Sequence, residues 1–320
     1  MVVNKTYPAV LGTTGGKENL ADMRTKGMEL SLTWNDQIKD VAGSPLDYSI
    51  SIGISDNTSE ITKYDNPTLS LDETHYQGKK IGEIWGYVTD GFIKDEAEAQ
   101  EMANKQAFIS TTWKPGDIRY ADLNGDGKID RGNNRVGDSG RPKKSLVIQL
   151  PRYNFNLNLS GSWKGFDLRL FFQGTMKRDV WLDSPVFWGY KTGIWWANLN
   201  DYIIDNSWSE TNTNAYYPIP TWSDRSKQTQ TKYLQNGAFI RLKDVTLSYT
   251  IPKALINKYG IGQLKVFVSG QNLWEATGLY KYLDPDAVGR RDNNGNLKVD
   301  DNGSVYPFTR SYSFGINVTF

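Results

Sequence analysis

The sequence predicts an all-β fold, and three observations lead to that prediction. Segments with a period of two recur along the chain, aromatic residues make up 13% of it, and no segment has the length and apolar content of a membrane-spanning helix. Side chains alternate across a strand, so a period of two indicates strands with one apolar and one polar face. The chain therefore has the pattern of about seven amphipathic antiparallel strands.

The last strand shows the pattern most clearly. Between Phe308 and Phe320 one side of the predicted strand is apolar except for Arg310, and the other side carries Thr, Ser, Gly and Asn. An uncharged polar face opposite an oily one suits the wall of a transmembrane barrel, with water inside and lipid outside. A soluble β-sandwich would explain this one strand equally well, so the choice depends on whether the pattern repeats.

The pattern does repeat. A bulge is predicted just before Asp244, because Ile240 and Leu242 have the opposite parity to the residues that follow. A short helix is predicted over Lys94–Gln106. The other six strands are predicted at Met28–Trp34, Tyr48–Ser55, Tyr153–Trp163, Phe166–Gln173, Asp244–Ile251 and Leu264–Trp274.

Connection lengths separate the two fold hypotheses. Short links follow the first, third and fifth strands, whereas long loops of about 56–144, 177–236 and 275–307 follow the second, fourth and sixth. Strict alternation of short and long connections is typical of an outer-membrane barrel with short periplasmic turns and long extracellular loops. The sequence therefore favours a barrel over a sandwich.

Composition narrows the possible functions. The chain has no cysteine, and His75 is its only histidine, so thiol catalysis, disulfides and His-based triads or metal clusters are disfavoured. With 37 basic and 36 acidic residues, the net charge of +1 indicates no nucleic-acid footprint. We expect a protein that is not an enzyme, with no catalytic residues. Because the residues after Met1 lead into a polar segment and not an apolar core, we expect no signal peptide at this position.

Several segments together carry a family resemblance. They are TYPAVLG with MELSLTW, GEIWGYVTDGF, GDIRYADLNGDGKID, GAFIRLKDVTLSYTIP, KVFVSGQNLW and the terminal aromatic strand. In order and spacing the chain resembles the C-terminal part of SusC/RagA-type TonB-dependent outer-membrane transporters. The resemblance covers essentially all residues and implies the C-terminal strands and extracellular loops of a large transmembrane β-barrel.

The resemblance also implies partners and a location. A SusD-like surface lipoprotein would deliver substrate, TonB–ExbB–ExbD would supply energy through a plug domain, and the outer membrane of a Gram-negative bacterium would hold the protein. The terminal Phe320 resembles the signal that the barrel assembly machinery recognises. Because no plug or TonB-contacting segment is present in the sequence, we expect a fragment, a truncated gene product or one piece of a split barrel.

One loop motif predicts a metal site. The run Asp122 to Asp130 matches the first nine positions of a calcium loop, without the acidic residue at position twelve. The alternative is an Asx turn that is rich in short polar residues for conformational reasons. The candidate calcium ligands are Asp122, Asn124, Asp126, Asp130 and the backbone carbonyl of Lys128.

A second loop is crowded with aromatic residues. Aromatic faces stack on sugar rings and peptide side chains, and a loop above a pore is a place for substrate capture. The alternatives are that the rings pack against one another or form the docking surface for the lipoprotein. The candidate substrate or partner contacts are Trp188, Tyr190, Trp195, Trp196, Tyr216, Tyr217 and Trp222.

The sequence thus predicts part of an energy-dependent importer of oligosaccharides or peptides, with no certain cofactor. A soluble or surface β-rich glycan-binding module with a calcium loop is the alternative from another class. A passive porin is the third hypothesis.

Overall fold

The computed structural model describes residues 2–4, 10, 12, 16–71, 75–137, 143–148, 150–183, 185–189, 201–281, 283–288 and 308–320. These residues form one large antiparallel sheet and three long connections that carry a hydrophobic core of their own.

The large sheet, called the main sheet below, is a meander. Each of its seven strands pairs antiparallel with the strand that precedes or follows it among them, so the order in space is the order in the chain. The strands are β1 (Asp22–Ile38), β2 (Leu46–Lys63), β3 (Arg152–Trp163), β4 (Phe166–Lys177), β5 (Phe239–Thr250), β6 (Gln263–Thr277) and β7 (Ser311–Thr319).

The first two strands are longer than their alternating segments. β1 and β2 stay paired from Ile38↔Leu46 to Asp22↔Lys63, well beyond the predicted ends at Met28 and Ser55. The added part of the pair contains Thr25 and Ser59, whose hydroxyls lie 2.8 Å apart. The period of two fades there because Met23 and Ile61 are the only large apolar residues of that part, while backbone pairing continues.

The connections alternate in length along the chain. Residues 39–45, 164–165 and 251–262 form the short ones, and 64–151, 178–238 and 278–310 form the long ones. Because neighbouring strands are antiparallel, all short connections lie at one end of the main sheet and all long ones at the other.

One face of the main sheet is apolar across all seven strands. The register aligns Tyr48, Leu168, Leu247, Val268 and Phe314 in a single row. Parallel rows add further large apolar side chains on the same face. Many of them are exposed: Leu30, Leu32, Trp34, Ile50, Ile52, Phe166, Trp274, Tyr312, Ile316 and Val318.

The opposite face of the main sheet is polar. The neighbouring register positions Asn35, Ser49, Ser160 and Arg169 form one row on that face. The row continues through Thr246, Ser269 and Ser313. The main sheet thus separates an oily side from a wet side over its whole width.

The bulge is where the parity break predicts it. The register of β5 with β6 shifts between Leu242 and Asp244, and the register of β4 with β5 shifts between Phe171 and Phe172. The extra residue restores Leu242 to the apolar face, opposite Phe172 and Trp274.

Short elements fill the connections. Paired short strands are Val2–Asn4 with Lys17–Asn19, Glu83–Tyr87 with Lys143–Ile148, Thr89–Phe92 with Ile118–Tyr120, and Asp179–Val180 with Gln235–Asn236. Four α-helices are described: α1 (Glu96–Lys105), α2 (Pro185–Trp188), α3 (Asp201–Asp205) and α4 (Lys253–Ile256). Single 3₁₀ turns span Arg225–Lys227 and Asn257–Tyr259. Among the described residues no helix is long and apolar enough to cross a membrane.

The predicted helix is α1, and its start has a local cause. Asp95 caps it by accepting a hydrogen bond from the Glu98 backbone N–H at 2.9 Å, while Glu98 accepts one from the Lys94 N–H at 2.6 Å. This reciprocal pair satisfies two backbone donors at the helix start. The buried Ala99 and Met102 lie on the face of α1 that packs against the hydrophobic core of the long connections.

Candidate functional site

The hydrophobic core of the described chain lies in the long connections. Their described residues, called the loop unit below, share one buried cluster to which all three connections contribute. Its members include Tyr87, Ile93, Met102, Trp113, Ile118 and Tyr120 from the first connection, Val180, Leu182, Phe187, Trp188, Ile203, Tyr217 and Tyr233 from the second, and Leu279, Tyr280, Leu283 and Val288 from the third. The three connections are therefore one packed body.

Phe187 is the centre of the aromatic part of that core. Its ring lies edge-on to Trp188, Tyr217 and Tyr280, with centroid distances of 5.1, 5.5 and 5.4 Å. Tyr233 packs against Trp188 at 4.8 Å. Edge-to-face contacts at these distances add attraction beyond burial of the rings.

The predicted contact residues divide between the inside and the surface of the loop unit. Trp188 and Tyr217 are 3% and 2% exposed, so in this arrangement they pack the core. Tyr216 and Trp222 are 38% and 65% exposed and are accessible to a ligand or partner. Their role in contacts stays a prediction. The candidates Tyr190, Trp195 and Trp196 lie outside the described residues.

A buried ion pair joins the first connection to the second. The Asp117 carboxylate accepts hydrogen bonds from Arg225 Nε at 2.7 Å, the Lys114 backbone N–H at 2.8 Å and Ser226 Oγ at 2.9 Å. The side chain of Asp117 is fully buried, and that of Arg225 is 7% exposed. Burial raises the pKa of Asp117, and the Arg225 guanidinium opposes this effect only in part.

Further polar contacts extend this joint. The Ile118 backbone N–H donates to Ser226 Oγ at 3.1 Å, and Tyr120 donates its hydroxyl proton to the Arg225 carbonyl at 2.8 Å. Burial raises the pKa of Tyr120 well above its ordinary value, so the phenol stays a donor. Thr89 adds a hydrogen bond from its hydroxyl to Gln230 Oε1 at 2.8 Å.

A charged cluster attaches the third connection to the main sheet. Arg241, on β5, donates from Nε to Glu275 at 2.6 Å and from Nη2 to Asp284 at 2.7 Å. Asp284 also accepts from the Phe308 backbone N–H at 3.2 Å, and Asp286 pairs with Lys243 at 3.2 Å. These contacts place the two ends of the third connection against β5 and β6.

A cavity of about 460 Å³ lies where the polar face of the main sheet meets the loop unit. Its sheet side carries uncharged polar side chains from four strands, and its loop side carries Arg178 and Asp286. The sheet residues among its lining include Ser31, Ser55, Asn154, Asn156, Gln173 and Thr175.

Arg178 is the buried cation of this cavity. It is 6% exposed, and its Nη1 donates to the Pro285 carbonyl at 2.7 Å. Nη2 donates to the Val288 carbonyl, and Nε has no hydrogen-bond partner. Burial lowers the pKa of the guanidinium, and the nearby Asp286 carboxylate opposes this only in part.

The predicted calcium loop is closed by its own backbone. Asp122 accepts hydrogen bonds from the N–H groups of Gly125 and Gly127, both at 2.8 Å, and Asp126 accepts from the Lys128 N–H at 2.8 Å. Desolvation raises the pKa of Asp122, but these backbone donors outweigh it and the pKa lies below its ordinary value. The glycines at 125 and 127 have positive φ, as such a turn requires.

The oxygen donors of this loop suit calcium chemically, but the carboxylates of Asp122 and Asp126 face the loop backbone. Within the described part of the chain no group of three His, Cys, Asp or Glu residues could hold a metal ion. Asn124 donates to Asp126 Oδ2 at 2.7 Å, and Asp130 accepts from the Gly132 N–H. The geometry is that of the predicted Asx turn, and calcium binding stays a prediction.

The terminal residue is accessible. Phe320 directly follows β7 and is 91% exposed, so a partner can reach its ring. Its proposed use as an assembly signal stays a prediction.

Sequence reasoning missed Arg178 and the Asp117–Arg225 pair. Both partners of the pair are ordinary charged loop residues 108 positions apart. Arg178 directly follows a strand, but Lys39 and Lys164 do so too, and its position in the sequence therefore does not distinguish it. No sequence pattern marks burial of this kind, because long-range packing decides it.

The curated relatives of this chain include three TonB-dependent receptors. The chain is 27% identical over 99% of its length to TonB-dependent receptor P3 of Formosa agariphila. It is 24% identical over its full length to TonB-dependent receptor P26 of the same organism. The chain spans 30% and 31% of the lengths of these relatives. No protein-family model matches the chain.

Two solved structures share the fold. The RagAB peptide transporter superposes with a TM-score of 0.66 at 21% identity, covering the whole of this chain and 32% of the other. The RagAB peptide importer in its open-open state gives a TM-score of 0.68 at 20% identity over 31% of its chain. The predicted antiparallel all-β fold and the predicted resemblance to SusC/RagA-type TonB-dependent receptors are confirmed.

Proposed function

We propose that this chain forms part of the wall and the outer loops of an energy-dependent importer in the outer membrane of a Gram-negative bacterium. The observation that carries the proposal is the two-faced main sheet, with seven strands apolar on one side and polar on the other. All long connections lie at one end of that sheet. This combination is the architecture of an outer-membrane barrel wall.

The exposed apolar rows support a lipid-facing role. Leu32, Trp34, Ile52 and Phe314 are between 47% and 77% exposed, on a face that continues across every strand of the main sheet. Exposed apolar surface of this extent is unfavourable in water and marks a contact with membrane or partner. A soluble glycan-binding module would bury this face.

The sheet edges support assembly into a larger wall. Among the described residues, β1 pairs only with β2 and β7 pairs only with β6. In hydrocarbon each unpaired backbone group costs several kcal/mol, so the outer edges need further strands. A closed barrel that contains this chain would supply them.

The relatives support the proposed partners and substrates. TonB dependence in two curated relatives supports energy supply by TonB–ExbB–ExbD, and the RagAB likeness supports a SusD-like lipoprotein on the loop side. Oligosaccharides and peptides are the proposed substrates, with peptides named for the RagAB importer. The exposed Tyr216 and Trp222 are proposed contacts for substrate or lipoprotein, and the barrel assembly machinery is the proposed reader of Phe320.

Single-cysteine labelling tests the membrane topology against a clean background, because the chain has no native cysteine. The variant Glu210→Cys lies in the second long connection, and Asn257→Cys lies in a short one. In intact cells a membrane-impermeant maleimide should label Glu210→Cys, and should label Asn257→Cys only after the outer membrane is permeabilised. Labelling of both sites in intact cells, or recovery of the protein in water without detergent, would contradict the barrel topology.

Uptake assays separate an importer from a passive porin. Uptake of the substrate should stop both when this gene is deleted and when TonB is deleted. Uptake that persists without TonB and stops without this gene would support the porin.

A further inference from the structure

The cavity under the loop unit holds a positive charge, Arg178, that has no hydrogen bond or ion pair with a carboxylate of the described chain, although Asp286 acts on it from a longer distance. Arg178 is only 6% exposed, and both of its described hydrogen bonds go to neutral carbonyls. Its Nε–H has no partner. Every other strongly buried arginine of the described chain, Arg225 and Arg241, pairs with an aspartate or glutamate.

A buried cation without a direct ion pair is unusual, because the interior destabilises a charge and Asp286 opposes this cost only in part. An anionic group that enters the cavity would reduce this cost and could accept from the three guanidinium N–H donors that the two described hydrogen bonds leave over. Charge-assisted hydrogen bonds of an arginine to a carboxylate are among the stronger polar contacts in proteins.

The sheet side of the cavity offers matching neutral donors. Thr175 Oγ1 donates to Asn154 Oδ1 at 2.8 Å, which leaves the Asn154 side-chain NH₂ group as a donor at the cavity. Gln173 lies on the adjacent β4 and adds a second side-chain amide to the lining. A guanidinium with amide donors beside it suits a planar carboxylate.

The acidic residues that line the cavity limit how much negative charge a bound ligand can carry. Asp286 already pairs with Lys243 at 3.2 Å, and Glu29 lies on β1 at the far side of the cavity. A ligand with one carboxylate fits beside them, whereas a dense polyanion would be repelled.

We propose that this cavity binds a single carboxylate of the transported substrate through Arg178, with Asn154 and Gln173 as supporting donors. The inference rests on the proposed import function for its substrate. The carboxylate could belong to the C-terminus of a peptide or to an acidic sugar, and the test separates these two sources.

Binding to the native protein, purified in detergent, is measured by calorimetry with two matched pairs of probes. One pair is acetyl-tetraalanine with a free C-terminal carboxylate and its C-terminal amide; the other is the monosaccharide galacturonate, which has one carboxylate, and its methyl ester. One charge-assisted contact corresponds to a preference of about tenfold or more for the free acid over its neutral derivative. The pair that shows the preference identifies the source.

Variants assign the preference to Arg178. Arg178→Gln should reduce the acid-to-neutral affinity ratio to about one, and Arg178→Lys should keep most of it. The control is Arg169→Gln, since Arg169 lies on the polar face of the same strand and does not line the cavity. That variant should keep the full ratio.

Two results would overturn the proposal. One is a wild-type ratio near one for both probe pairs, which requires no variant to fold. The other is an unchanged ratio in Arg178→Gln. The import function is tested separately, by uptake in the strain that lacks this gene. Unchanged uptake in that strain refutes the import function. The acid-to-neutral affinity ratio still tests carboxylate binding in the cavity in that case.

Discussion

Asp117 shows how a single residue holds two loops together. Its carboxylate has no exposed surface and accepts hydrogen bonds from Arg225, Ser226 and the backbone of Lys114. Removal of its charge leaves the Arg225 guanidinium buried without a counter-charge. Breaking a buried pair from one side typically costs about 3–5 kcal/mol.

We expect Asp117→Asn to lower the free energy of opening of the loop unit by about 3 kcal/mol, because the buried cation loses its partner. Native-state hydrogen exchange should show faster exchange at Ile118, whose N–H donates to Ser226. The control is Asp90→Asn, since Asp90 is 59% exposed in its pair with Arg119 and such pairs contribute below about 1 kcal/mol. Equal exchange rates at Ile118 in the two variants would show that the buried Asp117–Arg225 pair contributes no more stability than the exposed pair.

Asp284 makes the third connection sensitive to acid. Desolvation raises the pKa of this carboxyl, but the hydrogen bonds from Arg241 and from the backbone of Asp286 and Phe308 outweigh it, so the pKa lies below its ordinary value of 3.8. A folded-state pKa below the unfolded one contributes stability that is present above the unfolded value and is lost as the pH falls through the folded one.

Below pH 3.8 we therefore expect the contact of Asp284 with the Phe308 N–H to weaken progressively. Hydrogen exchange at Phe308, corrected for intrinsic exchange at each pH, should lose protection in that range. In Asp284→Asn the protection should be lower at neutral pH and should no longer respond to acid through this group. A variant with the same acid response as the wild type would show that another group titrates.

Hydrogen exchange in the Asp122–Asp130 loop distinguishes a calcium site from a polar turn without metal. If calcium binds, hydrogen exchange at Gly125 and Gly127 should slow when millimolar calcium replaces a chelator, and Asp122→Asn should abolish that change. If the loop is only an Asx turn, calcium should leave exchange unchanged, because Asp122 already accepts from both N–H groups.

At the scale of elements, the period of two was enough to place the strands. It predicts β7 from its own residues, and the parity break before Asp244 predicts the bulge of β5. It underestimates β1 and β2, because the stretch around Thr25 and Ser59 has only one apolar pair, Met23 with Ile61, and so shows no alternation. Backbone pairing needs no apolar face, so the sequence gives no sign of that extension.

The pairing of β7 with β6 depends on one close contact. A Cβ atom on Gly315 would lie 2.3 Å from the ring of Phe267, its cross-strand partner. We expect Gly315→Val to destabilise this strand pair by about 1–3 kcal/mol through overpacking. The measurement is the temperature at which the detergent-solubilised protein unfolds.

Two matched variants show whether the ring is the cause. Ser313→Val adds apolar bulk on the same face of β7, opposite Ser269, and should have a small effect. In the Phe267→Ala background, Gly315→Val should cost much less than in the wild type. If the cost stays the same, the ring contact is not responsible.

At the scale of the whole molecule, the two faces of the main sheet differ in polarity and so suit different surroundings. Ile52 lies on the apolar face and is 47% exposed, while Asn158 lies on the polar face of the neighbouring strand. Arginine on a lipid-facing strand costs about 2–4 kcal/mol near the middle of the membrane.

Ile52→Arg should therefore reduce the folded fraction in lipid bilayers, whereas Asn158→Arg should leave it nearly unchanged. Folded protein is measured by protection from protease after membrane insertion. Equal losses in both variants would show that the two faces of the sheet have the same surroundings.

The sequence by itself determined the strands, the bulge, the two faces and the alternation of connection lengths. These features depend on the period of two and on antiparallel pairing of neighbours in the chain, which are local properties of the backbone. It did not distinguish Trp188, inside the loop core, from Trp222, on its surface. Only the tertiary structure decided this, because burial in the loop unit depends on contacts between distant segments. For the same reason it alone paired Asp117 with Arg225 and buried Arg178 with hydrogen bonds to two carbonyls.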